Sequence, residues 1–304
     1  MEDRIEAGKA FGRIGIGFSA FLIATFVLQI VIKGIVTLLT HMGVTNLSDS
    51  WYLFVASLAN YVVGGFVLFL ILKRLPVTGK PVSKRGEKPL LISSFFVCVS
   101  ALMIGNIMGL ILMNVVSALE GKPMVNPVAE VMEGLGTGTI FAIMVIMAPV
   151  CEEFLFRKLL IDRVRIYGDK AAILMSAIIF GLSHGNFYQF FYAFGIGAVF
   201  AYVYIRTGRL RYTILFHMII NFLGSIAAMH VSNLGPLAVL YALFLYGSVI
   251  AGITLFFTFR KRLVLWTGEK EVWGRGSSKI LFLNAGMIIF FLLSAISFVV
   301  TEFL

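Results

Sequence analysis

This sequence is short of charge. Asp, Glu, Lys and Arg make up 13% of its 304 residues and hydrophobic residues 60%, where an ordinary soluble domain carries about 25% charge. That balance excludes a soluble globular enzyme and puts the chain in a membrane. Cysteine is nearly absent: Cys98 and Cys151 both lie in apolar runs, which leaves no disulfide framework and no thiolate metal site. Cys151 has a carboxylate rather than a cation beside it, so a thiolate nucleophile is poorly supported. Two common hydrolase signatures are missing as well, the HExxH helix of zinc proteases and the GxSxG nucleophile elbow. Ser183 and His184 are adjacent, and neighbours on a helix do not face each other, so they form no dyad. No internal repeat supports an inverted-repeat transporter. No small-residue cleavage site follows the charged start MEDRIEAGKAFGRIG, so the first apolar run is expected to be a retained span rather than a signal peptide.

What is present is a series of apolar runs. A span needs about 20 predominantly apolar residues, and runs of that kind fall near 14–40, 51–72, 89–117, 138–156, 171–186, 187–205, 212–229, 235–259 and 280–303. The expected fold is an all-α polytopic membrane protein of about 8–9 transmembrane helices. It divides into N-terminal helices with an outer loop (1–136), a core (137–230) and C-terminal helices (231–304). All but two of the 25 basic residues sit in the N-terminus or in every second connection: Lys73–Lys88, Arg157–Lys170, Arg206–Arg211 and Arg260–Lys279. Lys and Arg stay on the cytoplasmic side, which predicts a cytoplasmic N-terminus and an outer C-terminus. The net charge of +10 is then topology and lipid contact, and no nucleic-acid partner is implied. The compact chain has no ER-retrieval tail, which points to a prokaryotic plasma membrane. Gly105 and Gly109 form a GxxxG helix-packing motif. The acidic, Pro- and Gly-punctuated loop 118–136 is expected to cap the outer face.

Three polar clusters interrupt the apolar runs. In 152-EEFLFR-157, Glu153 and Arg157 are four apart and share a helix face, while Glu152 points about 100° away. One acid can pair with Arg157 while the other faces a cavity, where burial suits a carboxylate to proton transfer. The competing reading has all three as solvated charges at a helix end. In 180-FGLSH-184 a histidine follows an apolar run, and in 217-HMIIN-221 His217 and Asn221 share a face and need partners in lipid. Acid, imidazole and amide are the parts that activate a water and stabilise an oxyanion. Glu152, His184 and His217 could equally ligate zinc.

In order, these clusters read Glu152-Glu153-xxx-Arg157, Phe180-xxx-His184 and His217-xxx-Asn221. Over about 135–230 the sequence resembles the CAAX-protease and bacteriocin-processing (CPBP) family of intramembrane proteases, which includes the Rce1-type prenyl-protein endopeptidases and the abortive-infection (Abi) membrane proteins. The resemblance implies an active-site cavity within the bilayer, and a membrane-embedded or lipidated peptide or protein as substrate. It implies that Glu152 and His184 activate water, that His217 and Asn221 form the oxyanion hole, and that Glu153 and Arg157 hold the acid in place, with Phe180 supporting. Both metal-dependent and metal-free mechanisms are proposed for the family. An amide is an uncommon zinc ligand but a good oxyanion donor, which favours a mechanism needing no cofactor, with Zn as the alternative. A non-catalytic binding or immunity protein and a proton-coupled transporter are the competing functions. Oligomeric state leaves no mark in the sequence.

One geometric difficulty comes with this reading. At about 1.5 Å per residue, His184 lies roughly 20 Å beyond Lys170 but His217 only about 9 Å beyond Arg211. A broken hairpin turning inside the membrane near 184–187 would reconcile them, as would continuation of the preceding helix through 157–170.

Overall fold

The computed structural model describes residues 2–44, 48–78, 87–270 and 272–303. In chain order the helices are α1 (Glu2–His41), α2 (Asp49–Leu72), α3 (Glu87–Glu120), α4 (Pro127–Glu133), α5 (Thr137–Tyr167), α6 (Asp169–Leu182), α7 (Phe187–Thr207), α8 (Leu210–Asn233), α9 (Leu237–Phe259), α10 (Ser277–Phe282) and α11 (Ala285–Phe303). Eight of them are long and apolar enough to cross a membrane; α4, α6 and α10 are not. No strand occurs among the described residues. The chain is an integral, multi-pass, all-helical membrane protein, whose outward helix faces carry the large apolar side chains that a bilayer accepts.

Three expectations need correcting. The run 171–186 is no full span: α6 has 14 residues, about 21 Å of helix against a core of about 30 Å. It ends in a turn that sends α7 back the way α6 came. The run 138–156 does not stop at Arg157, because α5 continues to Tyr167. The region Arg157–Lys170 is therefore mostly helix rather than loop, and Arg157 itself is buried. The last run is broken near Asn284, which caps α11 by accepting from Met287 N at 3.0 Å.

The basic connections gather at one end of the bundle. Arg4 donates to the Arg275 carbonyl (2.6 Å) and Glu6 pairs with Lys270. Asp169 pairs with Arg165 at 2.8 Å and accepts from Trp266 N at 2.9 Å, while Arg209 meets Glu87 at 2.9 Å. Residues 79–86, half of the expected Lys73–Lys88 connection, lie outside the described residues. α3 starts at this end and runs for 34 residues, so the loop and α4 that come after it stand at the opposite end.

Glycines set the helix crossings. A Cβ on Gly105 would run into the Tyr192 backbone, and one on Gly109 would meet the Phe187 carbonyl at 2.8 Å. The GxxxG pair is thus the contact that lays α3 against α7, with backbones close enough that no side chain fits between them. Gly15 and Gly286 do the same for α1 and α11.

At the apex of the α6–α7 hairpin, Gly185 has φ +66° and lies against Ser297, so both conformation and space require glycine there. Asn186 caps α7 by accepting from Gln189 N at 2.9 Å, and the Glu302 carboxylate accepts from Phe187 N at 2.8 Å. An anion at a helix N-terminus is favourable, and it ties the hairpin apex to the end of α11.

Gly105→Val should force α3 off α7 and cost about 1–3 kcal/mol as an overpacked site. The measurement is thermal unfolding in detergent, with Gly8→Ala, where nothing lies within 4 Å of the added carbon, as a control that leaves the melting temperature in place.

Candidate active site

The site begins with α5. Pro149 has no N–H and disturbs the helix one turn upstream, and residues Phe141–Met147 take a π-helical register in which Ala148 N bonds Ile143 O. In that register the Met144 carbonyl would need its donor from position 149, which is proline. Asn221 on α8 supplies it: Asn221 Nδ2 donates to Met144 O at 2.7 Å. One amide proton of Asn221 is used this way and the second remains.

A second π segment, Phe154–Leu159, comes soon after. The six residues between the two, Ala148–Glu153, carry the acid pair. Glu153 and Arg157 are both 0% exposed, with Oε2 and Nε 3.0 Å apart. The approach lies at ion-pair distance but off the hydrogen-bond axis. Arg157 also donates from Nη1 to Ser176 Oγ at 2.9 Å, and its guanidinium covers the rings of Phe180 (4.7 Å) and Phe200 (5.5 Å). For Glu153 and Arg157 the reading as solvated helix-end charges is overturned: the helix continues past them and its neighbours enclose them.

His217 joins the pair to the cavity. Its Nδ1 lies 3.1 Å from Glu153 Oε1, and its Nε2 lies 3.8 Å from Glu152 Oε2. Glu152 points away from Arg157 and is partly exposed, and its Oε1 accepts from the Tyr61 hydroxyl at 2.6 Å. Tyr61 comes from α2, outside all three sequence clusters.

His184 stands on the apex turn. Its Nδ1 is 2.7 Å from the Phe180 carbonyl. A carbonyl only accepts, so this bond puts a proton on Nδ1 and leaves Nε2 as the open nitrogen of the neutral ring. The difference in helical rise between the two histidines is bridged by Phe180, whose ring meets His184 (4.9 Å, 88°) and His217 (5.7 Å, 89°) edge-on. Both routes suggested by the sequence are taken: the hairpin turns short, and α5 continues through 157–167.

Glu152, Phe180, His184, His217 and Asn221 line one cavity of about 780 Å³, while Glu153 and Arg157 sit behind its wall. Residues of α4 and the loop before it, among them Asn126 and Met132, cover the end of the cavity away from the basic residues. All seven residues singled out from the sequence are therefore brought together. Those it missed are Tyr61, the Met144 carbonyl, Ser176 and Phe200. The signal for Tyr61 was the polar pair Asn60-Tyr61 in an otherwise apolar run. A metal needs several donors turned to one point. Among the described residues no group of three or more His, Cys, Asp or Glu is so arranged.

The stretch supplying these residues matches a known family model. Residues 135–223 fit the one described as type II CAAX prenyl endopeptidase Rce1-like. Among curated proteins, the membrane-embedded CAAX protease MroQ of Staphylococcus aureus (strain USA300) is 34% identical over 83 residues, 25% of this chain and 34% of that protein. The alignment thus covers about a third of the relative's length. No solved structure matches.

Breaking the buried pair should be costly. Glu153→Gln keeps the shape but leaves Arg157 without its anion, for an expected loss of about 3–5 kcal/mol. The double change Glu153→Gln with Arg157→Met should melt higher than Glu153→Gln alone, measured by thermal unfolding in detergent, because no buried charge is left uncompensated.

Proposed function

We propose, from the match of residues 135–223 to the Rce1-like CAAX protease model and the likeness to MroQ, that this chain is a membrane-embedded endopeptidase acting through a water activated by Glu152 and His184. The observation that carries the reading is a single cavity lined by an acid, two imidazoles and an amide. In lipid each of these would be costly without a purpose.

The chemistry rests on the hydrogen bonds each residue has already made. Tyr61 holds one oxygen of Glu152, leaving the other on the cavity side. His184 offers its open Nε2, because Nδ1 is committed to Phe180. Together they take a proton from a cavity water as its oxygen attacks the carbonyl carbon of a peptide bond. The oxyanion that develops meets the second amide proton of Asn221 and the Nε2 side of His217. Donation from His217 needs a second ring proton, since Nδ1 already donates to Glu153; the carboxylates at 3.1 and 3.8 Å are its counter-charges. Return of the proton to the amide nitrogen lets the C–N bond break and the amine leave. Glu153 and Arg157 touch no substrate; they position His217 and keep the acid pair's charge compensated.

The proposed mechanism is metal-free, because Asn221 lines the cavity beside His217 and an amide is an uncommon zinc ligand but a good oxyanion donor. The substrate is a peptide or protein segment embedded in the membrane or carried to it by a lipid. The basic end faces the cytoplasm, as the positive-inside rule requires, and α4 covers the cavity on the other side.

In proteoliposomes carrying a panel of lipidated and transmembrane peptides, with products read by mass spectrometry, Glu152→Gln and His184→Ala should each lower kcat/KM by about 10²–10⁴-fold. Asn221→Ala should lower it by about 10²–10³-fold, the cost of one oxyanion donor. Melting temperatures should stay within a few degrees of the parent. Undiminished turnover in both Glu152→Gln and His184→Ala ends the proposal. Turnover that survives dialysis against a strong chelator supports the metal-free route, and its loss with recovery on adding zinc overturns that route.

A further inference from the structure

A second cavity of about 490 Å³ lies towards the basic end, between α3, α6, α7 and α9. Its walls are aliphatic and aromatic, with Leu174, Val199 and Phe256 among them. Two cations stand at its edge: Lys170, the second residue of α6, and Arg260, the residue just past α9. Both are exposed. Lys170 Nζ lies 4.4 Å from the Trp273 ring and the Arg260 guanidinium 4.8 Å from Phe257, so both heads are steered by rings. Among the described residues neither is paired with a carboxylate.

This cavity is separate from the catalytic one, although both lie along α3, α6, α7 and α9. Between them α3 and α9 are in close contact: Ser100 Oγ donates to Val249 O at 2.9 Å, and Gly252 packs on the Phe96 carbonyl with no room for a side chain. The catalytic cavity takes Leu102, Met103 and Asn106 of α3, and the second takes Ser93, Ser94 and Val97 from the other side of that crossing. A peptide in one cannot reach the other through it.

We propose that this groove is a binding site for an anionic glycerophospholipid of the leaflet at the basic end, with an acyl chain between α3, α7 and α9 and its phosphate against Lys170 and Arg260. An apolar slot open to the bilayer will hold a hydrocarbon chain. Two cations where that chain meets water, neither paired with a carboxylate among the described residues, select an anionic headgroup over a zwitterionic one. The lipid joins the start of α6 to the end of α9, and so braces the helix that carries Phe180 and the His184 turn. The site stands independently of the proteolytic reading, because none of its residues lines the catalytic cavity.

The test is native mass spectrometry of the detergent-purified full chain titrated with dioleoyl phosphatidylglycerol, dioleoyl phosphatidylcholine or glycerol 3-phosphate. One phosphatidylglycerol should bind at least about tenfold more tightly than phosphatidylcholine, and glycerol 3-phosphate, which has no chain, should leave no adduct. The double change Lys170→Gln with Arg260→Gln alters only exposed heads and should bring phosphatidylglycerol down to the phosphatidylcholine level. Ala198→Trp, which fills the groove, should weaken both lipids, with an unchanged melting curve showing that the protein is still folded. Equal binding of the two lipids, a wild-type preference in the double variant, or a glycerol 3-phosphate adduct as strong as that of the lipid overturns the proposal.

Discussion

The buried ion pair between Glu153 and Arg157 is the contact on which the centre of the molecule depends. Two charges removed from water cost several kcal/mol each, a cost that close pairing and further hydrogen bonds offset. Here the partners come from three neighbouring helices. Glu153 holds His217 of α8, and Arg157 holds Ser176 of α6 and the rings of Phe180 and Phe200. The pair therefore acts as a register pin. Sliding any of these helices by one residue would strand a charge in an apolar interior. Its value to the fold is specificity of arrangement more than net stability.

The same pair explains why two acids stand side by side. Adjacent residues on a helix diverge by about 100°, so one carboxylate can be enclosed while its neighbour reaches the cavity. Glu153 takes the enclosed position, and its charge is met by Arg157 and His217. Glu152 is left on the cavity side with only Tyr61 on one oxygen. The π-helical segments sharpen this division. Asn60–Gly64 carries Tyr61, Phe141–Met147 frees the Met144 carbonyl, Phe154–Leu159 carries Arg157, and Leu223–Ala227 begins just past Asn221. Each inserts one residue into a turn and re-aims the side chains beyond it, a device often found at functional sites.

Much of this was legible because lipid makes polar residues conspicuous. Hydropathy located the long spans, and the acid pair, His184, His217 and Asn221 stood out as groups that a bilayer would exclude without a partner. Hydropathy misread places where charge was neutralised locally. Arg157 and Arg165 looked like loop cations, yet each pairs with an acid four residues away and is buried. It also counted α6 as a span, because a mostly apolar helix of 14 residues ending in a turn looks much like the start of twenty. Tyr61 escaped notice since tyrosine in a span reads as an interface residue. Its role is set by a contact 91 positions along the chain. The π segments could not be seen at all, because they arise where proline and tertiary hydrogen bonds override the 3.6-residue period.

The architecture also shows why a short helix carries Phe180 and leads to His184. A full-length α6 would place its end at the far face of the bilayer, beyond the reach of Glu152. A helix of 14 residues that starts at the basic end stops inside the membrane, where an unsatisfied turn would be costly. The chain meets that cost with three local devices: the left-handed Gly185, the Asn186 cap and the Glu302 carboxylate brought from α11. A turn satisfied in this way can lie beside a cavity without water to support it. His184 is then held by the Phe180 carbonyl on one side and by ring contact with Phe180 itself, so its free nitrogen is aimed by the backbone rather than by a flexible loop. The irregular hairpin is what allows a residue on a turn to be as firmly placed as one on a helix.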